Sequence, residues 1–395
     1  MSSQNSTRAQ AFQFIIFIGV ISLFSDLTYE GARSISGPFL GTLQAGAVVV
    51  GVVAGLGEFI GYALRLASGY LADRTGKYWS LTILGYGVNL LAVPLLALAW
   101  RWEAAAVLLL LERLGKAIRT PARDAMLSHA ASQVGRGFGF GFHEAMDQIG
   151  AVAGPLLVAG VFYLSSDYRP AFAALLGPAV LALLVLGLTA RRYPQPRHLE
   201  VSVPHLETTG WRRPFWLYVT AVALIGAGYA DFPLIAYHFH HTSAIPAAWI
   251  PLFYAIAMGV DAVAALLLGK LFDRLGMLVL VASPAVSALF APLVFLGGFW
   301  VALGGMVLWG VGMGALESIL KAALADLAPA HRRATAFGIF HTGFGLFWFL
   351  GSALMGVLYT VSLTALIVFS IITQLLAIPL FLLMARKVCL APRLP

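Results

Sequence analysis

The chain has 395 residues, 60% hydrophobic and 11% charged, with a mean hydropathy of +0.87. Soluble domains carry about 45–50% apolar and about 25% charged residues, so this chain cannot be dissolved in water by its own surface. The net charge of +8 would suit a nucleic-acid binder, but its distribution, given below, argues against one. The single cysteine, Cys389, excludes an intrachain disulfide and a thiolate metal cluster. Apolar runs of about 20 residues recur from end to end, each long enough to cross hydrocarbon as a helix. They lack the alternation of a membrane barrel, so the expected fold class is an all-α polytopic membrane protein.

The first apolar run begins after Arg8, as a signal peptide would. It is followed by "SDLTYEGARS" and not by a small-residue cleavage site, so the helix is expected to be retained. Asn5-Ser6-Thr7 fits a glycosylation sequon on a short end and reads as a chance match. Spans follow near 12–32, 46–72, 79–99, 104–126, 137–164 and 171–190. The polar stretch 191–213 interrupts them, and six more lie near 214–238, 247–272, 278–297, 299–327, 334–360 and 362–385. The expected organisation is an N-terminal six-helix bundle over 1–190, a linker over 191–213 and a C-terminal six-helix bundle over 214–395.

Orientation follows from Lys and Arg. With both termini inside, the inner loops and tails hold Arg8, Arg74, Lys77, Arg136, five linker arginines, Arg274, Arg332, Arg333, Arg386, Lys387 and Arg393. The outer loops hold only Arg101 and Arg169. The expected location is a plasma membrane of the bacterial inner type, with both termini cytoplasmic.

The two halves repeat. "GYLADRTGK" at 69–77 and "GKLFDRLGM" at 269–277 share Gly-x-x-x-Asp-Arg-x-Gly, and each ends the second span of its half. "GFGFHEAMDQIG" at 139–150 recurs as "AFGIFHTGFGLF" at 336–347, aligning Phe142-His143 with Phe340-His341. Glu144 and Asp147 have no acidic counterpart there. A parallel repeat of two six-helix halves predicts a substrate site between them near the membrane midplane.

With these motifs the chain resembles the major facilitator superfamily over its whole length. That family carries Gly-x-x-x-Asp-Arg/Lys-x-Gly-Arg-Arg/Lys between its second and third helices. Here Gly69, Asp73, Arg74, Gly76 and Lys77 match, and Tyr78 replaces a further basic residue. The second copy keeps Gly269, Asp273, Arg274 and Gly276 and loses the charge at Met277. The resemblance implies twelve helices and secondary transport by alternating access. It also implies a cavity lined by helices 1, 4, 7 and 10, and an inner gate braced by Asp73 and Arg74 with Asp273 and Arg274 as a weaker copy.

Spans 3, 6, 9 and 12 contain no Asp, Glu, Lys, Arg or His. A charge in hydrocarbon costs from about 2.5 to above 10 kcal/mol, so the ionisable residues of the other eight spans must face protein or water. Every third helix is therefore expected to face lipid.

On span 1, Asp26, Glu30 and Arg33 share a face at i, i+4, i+7. Two carboxylates so placed compete for charge, which makes one a candidate proton carrier; the alternative is that Glu30 and Arg33 cap the outer end as an ion pair. Glu58 and Arg65 share a face of span 2. On span 4, Glu112 and Arg113 lie near the midplane, where Arg113 is either a substrate or carboxylate partner or part of a structural network. This position loosely resembles the family's Arg-x-x-x-Gly pattern. Lys116, Arg119 and Arg123 read as cytoplasmic anchors. By helical rise, His143 lies roughly 10 Å and Asp147 roughly 16 Å into span 5, so neither belongs to a solvated loop.

In the second half, Asp231 and Asp261 lack a local basic partner, which favours a proton or cation role, whereas Glu317 and Lys321 form an ordinary i, i+4 pair. His238, His240 and His241 end span 7, either as interfacial histidines or as a metal site.

Exporters of the superfamily often show Gly-(x)8-Gly-(x)3-Gly-Pro-(x)2-Gly-Gly on helix 5. Gly141, Gly150, Gly154 and Pro155 match, with Val158 and Ala159 in the last two places. The resemblance implies export by antiport. "GVGMG" at 310–314 follows no strand and is packing material, not a nucleotide cradle.

The leading expectation is proton-coupled export of a small organic molecule. Asp26, Glu58, Glu144, Asp147, Asp231 and Asp261 are the protonation candidates, and Arg33, Arg65 and Arg113 their partners or substrate anchors. The alternatives are transport of an anionic metabolite, favoured by those three arginines, or of a metal ion, favoured by His143 with Asp147 and Asp26. A non-transporting sensor or enzyme is disfavoured, since no Ser/His/Asp set, His-Glu-x-x-His motif or sizeable soluble domain is present. No enzyme activity, resident metal, cofactor or nucleic acid is expected. The expected partners are the lipid bilayer, a small-molecule substrate and protons, with the chain a monomer.

Overall fold

A backbone in hydrocarbon must satisfy its own N–H and C=O groups, so long apolar runs become helices. The computed structural model describes residues 2–134, 136–194, 213–275, 277–320, 323–324 and 333–389, and among them every regular element is helical. The linker from 195 to 212 and Lys321 lie outside the described residues. Five continuous helices come first: α1 (Ser2–Thr42), α2 (Ala47–Thr75), α3 (Tyr78–Leu95), α4 (Trp102–Val134) and α5 (Arg136–Ser165). α6 runs in two pieces, Tyr168–Ala174 and Leu176–Arg192, as does α7, Arg213–Gly228 and Phe232–Thr242. α8 (Ile250–Leu275) precedes α9, again in two pieces, Met277–Ser287 and Phe290–Leu296. α10 (Phe299–Glu317), α11 (Arg333–Val361) and α12 (Leu363–Cys389) complete the order of the twelve expected spans.

Among the described residues, eleven helices are long and apolar enough to cross a membrane. α4 is not one of them, because Glu112, Arg113, Lys116, Arg119, Arg123 and Asp124 crowd its middle. Its charges must face protein or water and not lipid. α3, α6, α9 and α12, whose interiors lack such charges and whose Arg and Lys stand only at the ends of α6 and α12, present Leu84, Leu184, Leu278 and Leu376 outward. Their polar residues turn inward instead. Asn89 of α3 and Gln374 of α12 are fully buried, and Gln374 accepts from Ser287 Oγ at 3.0 Å and donates to the Gly228 carbonyl at 3.3 Å.

The chain forms two compact units, one of residues Met1–Phe39 and Ile60–Pro204, the other of Leu40–Phe59 and His205–Pro395. The division falls in the linker, but residues 40–59 group with the second unit. There, α2 meets α11 at backbone distance: a Cβ on Gly55 would stand 2.9 Å from Phe349 Cα, and one on Gly356 would stand 3.0 Å from Val48 Cα. Phe59 stacks on Phe349, ring centroids 6.3 Å apart. The second unit's core is aromatic. Trp309 is fully buried, donates to the Ala230 carbonyl at 2.9 Å and accepts at its own carbonyl from the Tyr229 hydroxyl.

In the first unit, Phe14, Ile18, Tyr86, Leu90, Met126 and Leu186 form a closed apolar core shared by α1, α3, α4 and α6. Two close helix crossings define its polar side. A Cβ on Gly85 would lie 2.6 Å from the Arg119 amide nitrogen, and one on Gly115 would lie 2.8 Å from Asn89 Cα, so α3 and α4 touch backbone to backbone. Small residues at such crossings are what helices in lipid use to gain packing contact.

Candidate functional site

α1 and α4 face each other with polar stripes in antiparallel register. Arg123 Nη1 donates to Ser22 Oγ at 3.2 Å, and Arg119 Nη2 lies 3.9 Å from Asp26 Oδ1. The Lys116 ammonium stands 3.8 Å from the Tyr29 ring centroid. Arg113 donates to the Tyr29 hydroxyl, which also accepts from Arg33 Nη1 at 2.9 Å. Each step of three or four residues along α1 is matched by the opposite step along α4, so one face of each helix builds the seam.

The reading of Lys116, Arg119 and Arg123 as cytoplasmic anchors is corrected by this geometry. Arg119 has 0% exposure and lies 4.3 Å above the Tyr86 ring, and Arg123 is also buried. The glycine crossing of α3 and α4 presses this turn of α4 into the protein, where an anchor in water was expected. Arg123 is held by its neighbour, with Asp124 Oδ1 2.8 Å from Nη2 and 2.9 Å from Nε. Arg113 Nε is 3.3 Å from Glu112 Oε2, and Asn89 Nδ2 donates to Glu112 Oε1 at 2.6 Å. Glu112 and Arg113 thus tie α3, α4 and α1 together. Tyr29, Ser22 and Tyr86 carry no charge and escaped a reading that followed ionisable residues; the helical phase of Ser22 and Tyr29 with Asp26 marks those two, and Tyr86 on α3 has no such mark.

α5 supplies the third wall. A Cβ on Gly150 would lie 3.2 Å from Asp26 Cβ, and one on Gly154 would lie 2.8 Å from the Gly31 amide nitrogen. This crossing sets Asp147, one turn before Gly150, against α1 beside Asp26, Arg123 and Ser22. His143 Nδ1 is 3.4 Å from Asp147 Oδ2, while Asp147 Oδ1 and His143 Nε2 are buried without a hydrogen-bond partner among the described residues. Glu144 is exposed and accepts from Gln148 at 3.3 Å. Gly150 and Gly154 of the helix-5 pattern thus make the α1–α5 crossing; Pro155 continues the helix, and the side-chain position of Gly141 lies outside the described residues.

The other candidates divide between this seam and other helices. Glu30 and Arg33 are buried inside α1, which continues to Thr42, so they do not cap an exposed helix end. Glu58 is buried on α2, and Arg65 lies 5.0 Å over Tyr62. Asp231 stands at the break of α7 and caps its second piece. Its Oδ1 accepts from the Phe232 amide at 2.9 Å and its Oδ2 from Trp348 Nε1 at 3.4 Å. Asp261 is buried on α8 where Gly314 of α10 packs against it.

In the first gate motif, Gly76 has φ 68°, which lets it end α2 with its amide bonded to the Ala72 carbonyl at 2.9 Å. Gly69 packs on Pro121, and Arg74, Lys77 and Arg274 are exposed. Gly269 has open space around it; the side chains of Asp73 and Asp273, and Gly276 altogether, lie outside the described residues. His238 Nδ1 is 3.0 Å from the Tyr359 hydroxyl. Among the described residues no three His, Cys, Asp or Glu side chains gather as metal ligands, around His143 or around His240 and His241.

The apolar helices and the charges they bury define a multi-span membrane protein by class. The family model for the Major Facilitator Superfamily matches residues 11–352, with a further match over 233–390. The chain belongs to the major facilitator superfamily. It is 41% identical over 375 residues to an uncharacterized protein of Mycobacterium tuberculosis, covering 93% of this chain and 92% of that one. It is 26% identical over 374 residues to an uncharacterized MFS-type transporter of Methanocaldococcus jannaschii, covering 92% of each. A crystal structure of a POT family transporter in complex with a thioalcohol-conjugated peptide shares the fold. Its TM-score is 0.76 at 12% identity, over 95% of this chain and 96% of that chain.

Proposed function

We propose that this membrane transporter is a proton-coupled carrier of a small organic molecule, that it works by alternating access, and that Asp147 and Asp26 carry the proton. The observation that supports this reading is the α1–α5 crossing. It sets two carboxylates from different helices beside each other, with His143 at 3.4 Å from one and Arg119 at 3.9 Å from the other. Carboxylates so close favour sharing a proton, and a movable cation such as Arg119 can hold one of them charged after the proton leaves. Ionisable groups inside a membrane protein are the usual elements of such relays.

Antiport and export were expected from the helix-5 pattern. Gly150 and Gly154 have packing to do at the α1 crossing whatever the direction of flux, so the proposal concerns coupling. A plasma-membrane location with cytoplasmic termini belongs to the same reading, supported by the arginine distribution.

The test is substrate-dependent proton flux in proteoliposomes, with the substrate first found by comparing metabolite accumulation in cells with and without the gene. Asp147→Asn and Asp26→Asn should each abolish proton movement while the protein still folds and inserts. Unchanged coupling in both variants would sink the assignment.

A further inference from the structure

We propose that the α1–α4 seam carries a seat for the carboxylate or phosphate group of a small organic anion, formed by the Lys116 ammonium and the Arg119 guanidinium. The inference rests on the transport reading above and names the substrate class of the same seam.

Four cations line one stripe of α4, and they are not equally satisfied. Arg113 is held by Glu112 and by the Tyr29 hydroxyl, and Arg123 by Asp124 and Ser22. Lys116 differs. Among the described residues its ammonium has the Tyr29 ring at 3.8 Å but no hydrogen-bond acceptor and no carboxylate at ion-pair distance. Arg119 differs in the same way. It is wholly buried, and among the described residues its one ion-pair carboxylate is Asp26 at 3.9 Å and its Nε and Nη1 have no hydrogen-bond partner. A buried guanidinium with unmet donors is costly unless something supplies the acceptors.

The aromatic contacts explain how both cations persist in this state. Tyr29 and Tyr86 offer ring faces, which stabilise a cation without using its N–H groups. The cations are thereby held in place while those donors stay unmet. Lys116 and Arg119 are three residues apart, about 4.5 Å along the helix, a separation that one carboxylate or phosphate group can bridge.

Asp26 and Glu30 face Lys116 from α1, and Arg113 and Arg119 flank it on α4, so the seat is partly neutralised when empty. An incoming anion competes with Asp26 for Arg119, which links the substrate to a proton-carrying carboxylate. A cationic substrate could not supply the acceptors that the Lys116 and Arg119 donors lack, which works against it.

The experiment measures the thermal unfolding midpoint of the purified full-length protein in detergent. The probes are citrate and inorganic phosphate, against chloride at matched ionic strength. The free anions should raise the midpoint saturably. Lys116→Gln and Arg119→Gln should each weaken the apparent affinity about tenfold or more, Lys116→Arg should restore it, and Arg101→Gln, on an exposed side chain, should not alter it. If Arg119→Gln does not fold, the Lys116→Gln and Lys116→Arg pair decides.

No shift with either anion, or an equal shift in Lys116→Gln, overturns the seat. A shift with phosphatidylglycerol but with neither free anion makes it a lipid site and also overturns the proposal. Anion binding without anion-stimulated flux in proteoliposomes would instead overturn the transport reading and leave the seat standing. Proton-coupled flux of a neutral or cationic compound without anion binding would do the reverse.

Discussion

Asp26 and Arg119 meet at 3.9 Å across α1 and α4, and the guanidinium has no exposed surface. One carboxylate therefore answers for a whole buried arginine, with the Tyr86 ring beneath it at 4.3 Å. Removing that carboxylate leaves a charge stranded in protein, whereas removing both partners leaves a seam that apolar side chains can fill.

Asp26→Leu is expected to destabilise the protein by about 3 kcal/mol, the lower end for breaking a buried pair, since 3.9 Å is a long contact. The double variant Asp26→Leu with Arg119→Leu should recover much of that loss while transport stays absent. A double-mutant cycle on unfolding midpoints in detergent checks this, and additive losses would contradict it.

The two acidic residues of α5 should behave differently although they are three positions apart. Asp147 faces α1, and Glu144 is exposed. Glu144→Gln is expected to leave proton coupling within about twofold of the natural protein, as substitutions away from buried networks usually do, whereas Asp147→Asn abolishes it. Proton uptake in proteoliposomes separates the two outcomes.

The α1–α5 crossing should not tolerate a side chain. A Cβ at Gly154 would stand 2.8 Å from the Gly31 amide nitrogen, so Gly154→Val should cost about 1–3 kcal/mol or more through overpacking. Gly160, on the same helix with nothing within 4 Å, should accept alanine without loss. Fluorescence-detected size exclusion after heating reports both.

Asp231 holds two donors at a helix break, Phe232 N–H and Trp348 Nε1. Asparagine caps helices about as well as aspartate, and losing a cap costs about 1 kcal/mol. Asp231→Asn keeps the cap on the Phe232 amide but sets a donor NH2 opposite Trp348 Nε1, so it should lose less stability than Asp231→Ala and keep transport, and unfolding midpoints rank the two. Loss of proton coupling in Asp231→Asn with stability intact would instead give it the proton role that its lack of a basic neighbour suggested.

Much of this was readable before any coordinates. Twelve apolar runs needed only the rule that hydrocarbon forces helices, and the absence of charge from every third run marked the helices that carry no polar seam. Asp147 and Asp26 stood out because charge inside a membrane is costly wherever it occurs. The interruption of α7 at Asp231 was missed because the run was read by apolarity alone, although Asp231 as a cap and Pro233 in the first turn after it are helix-start signals. The grouping of residues 40–59 with the second unit was hidden, since Gly51, Gly55 and Gly356 are ordinary membrane glycines until their partners are known.

Composition and spacing by themselves determined that the chain is a membrane-spanning helical repeat and which helices carry charge, because burial cost and helical period act along one strand of sequence. Only the tertiary structure decided which charges meet. Arg119 reads as a surface anchor when α4 is considered alone. It becomes a buried partner of Asp26 because glycines draw α3 onto α4 and α5 onto α1 at backbone contact, and those approaches depend on residues distant in sequence.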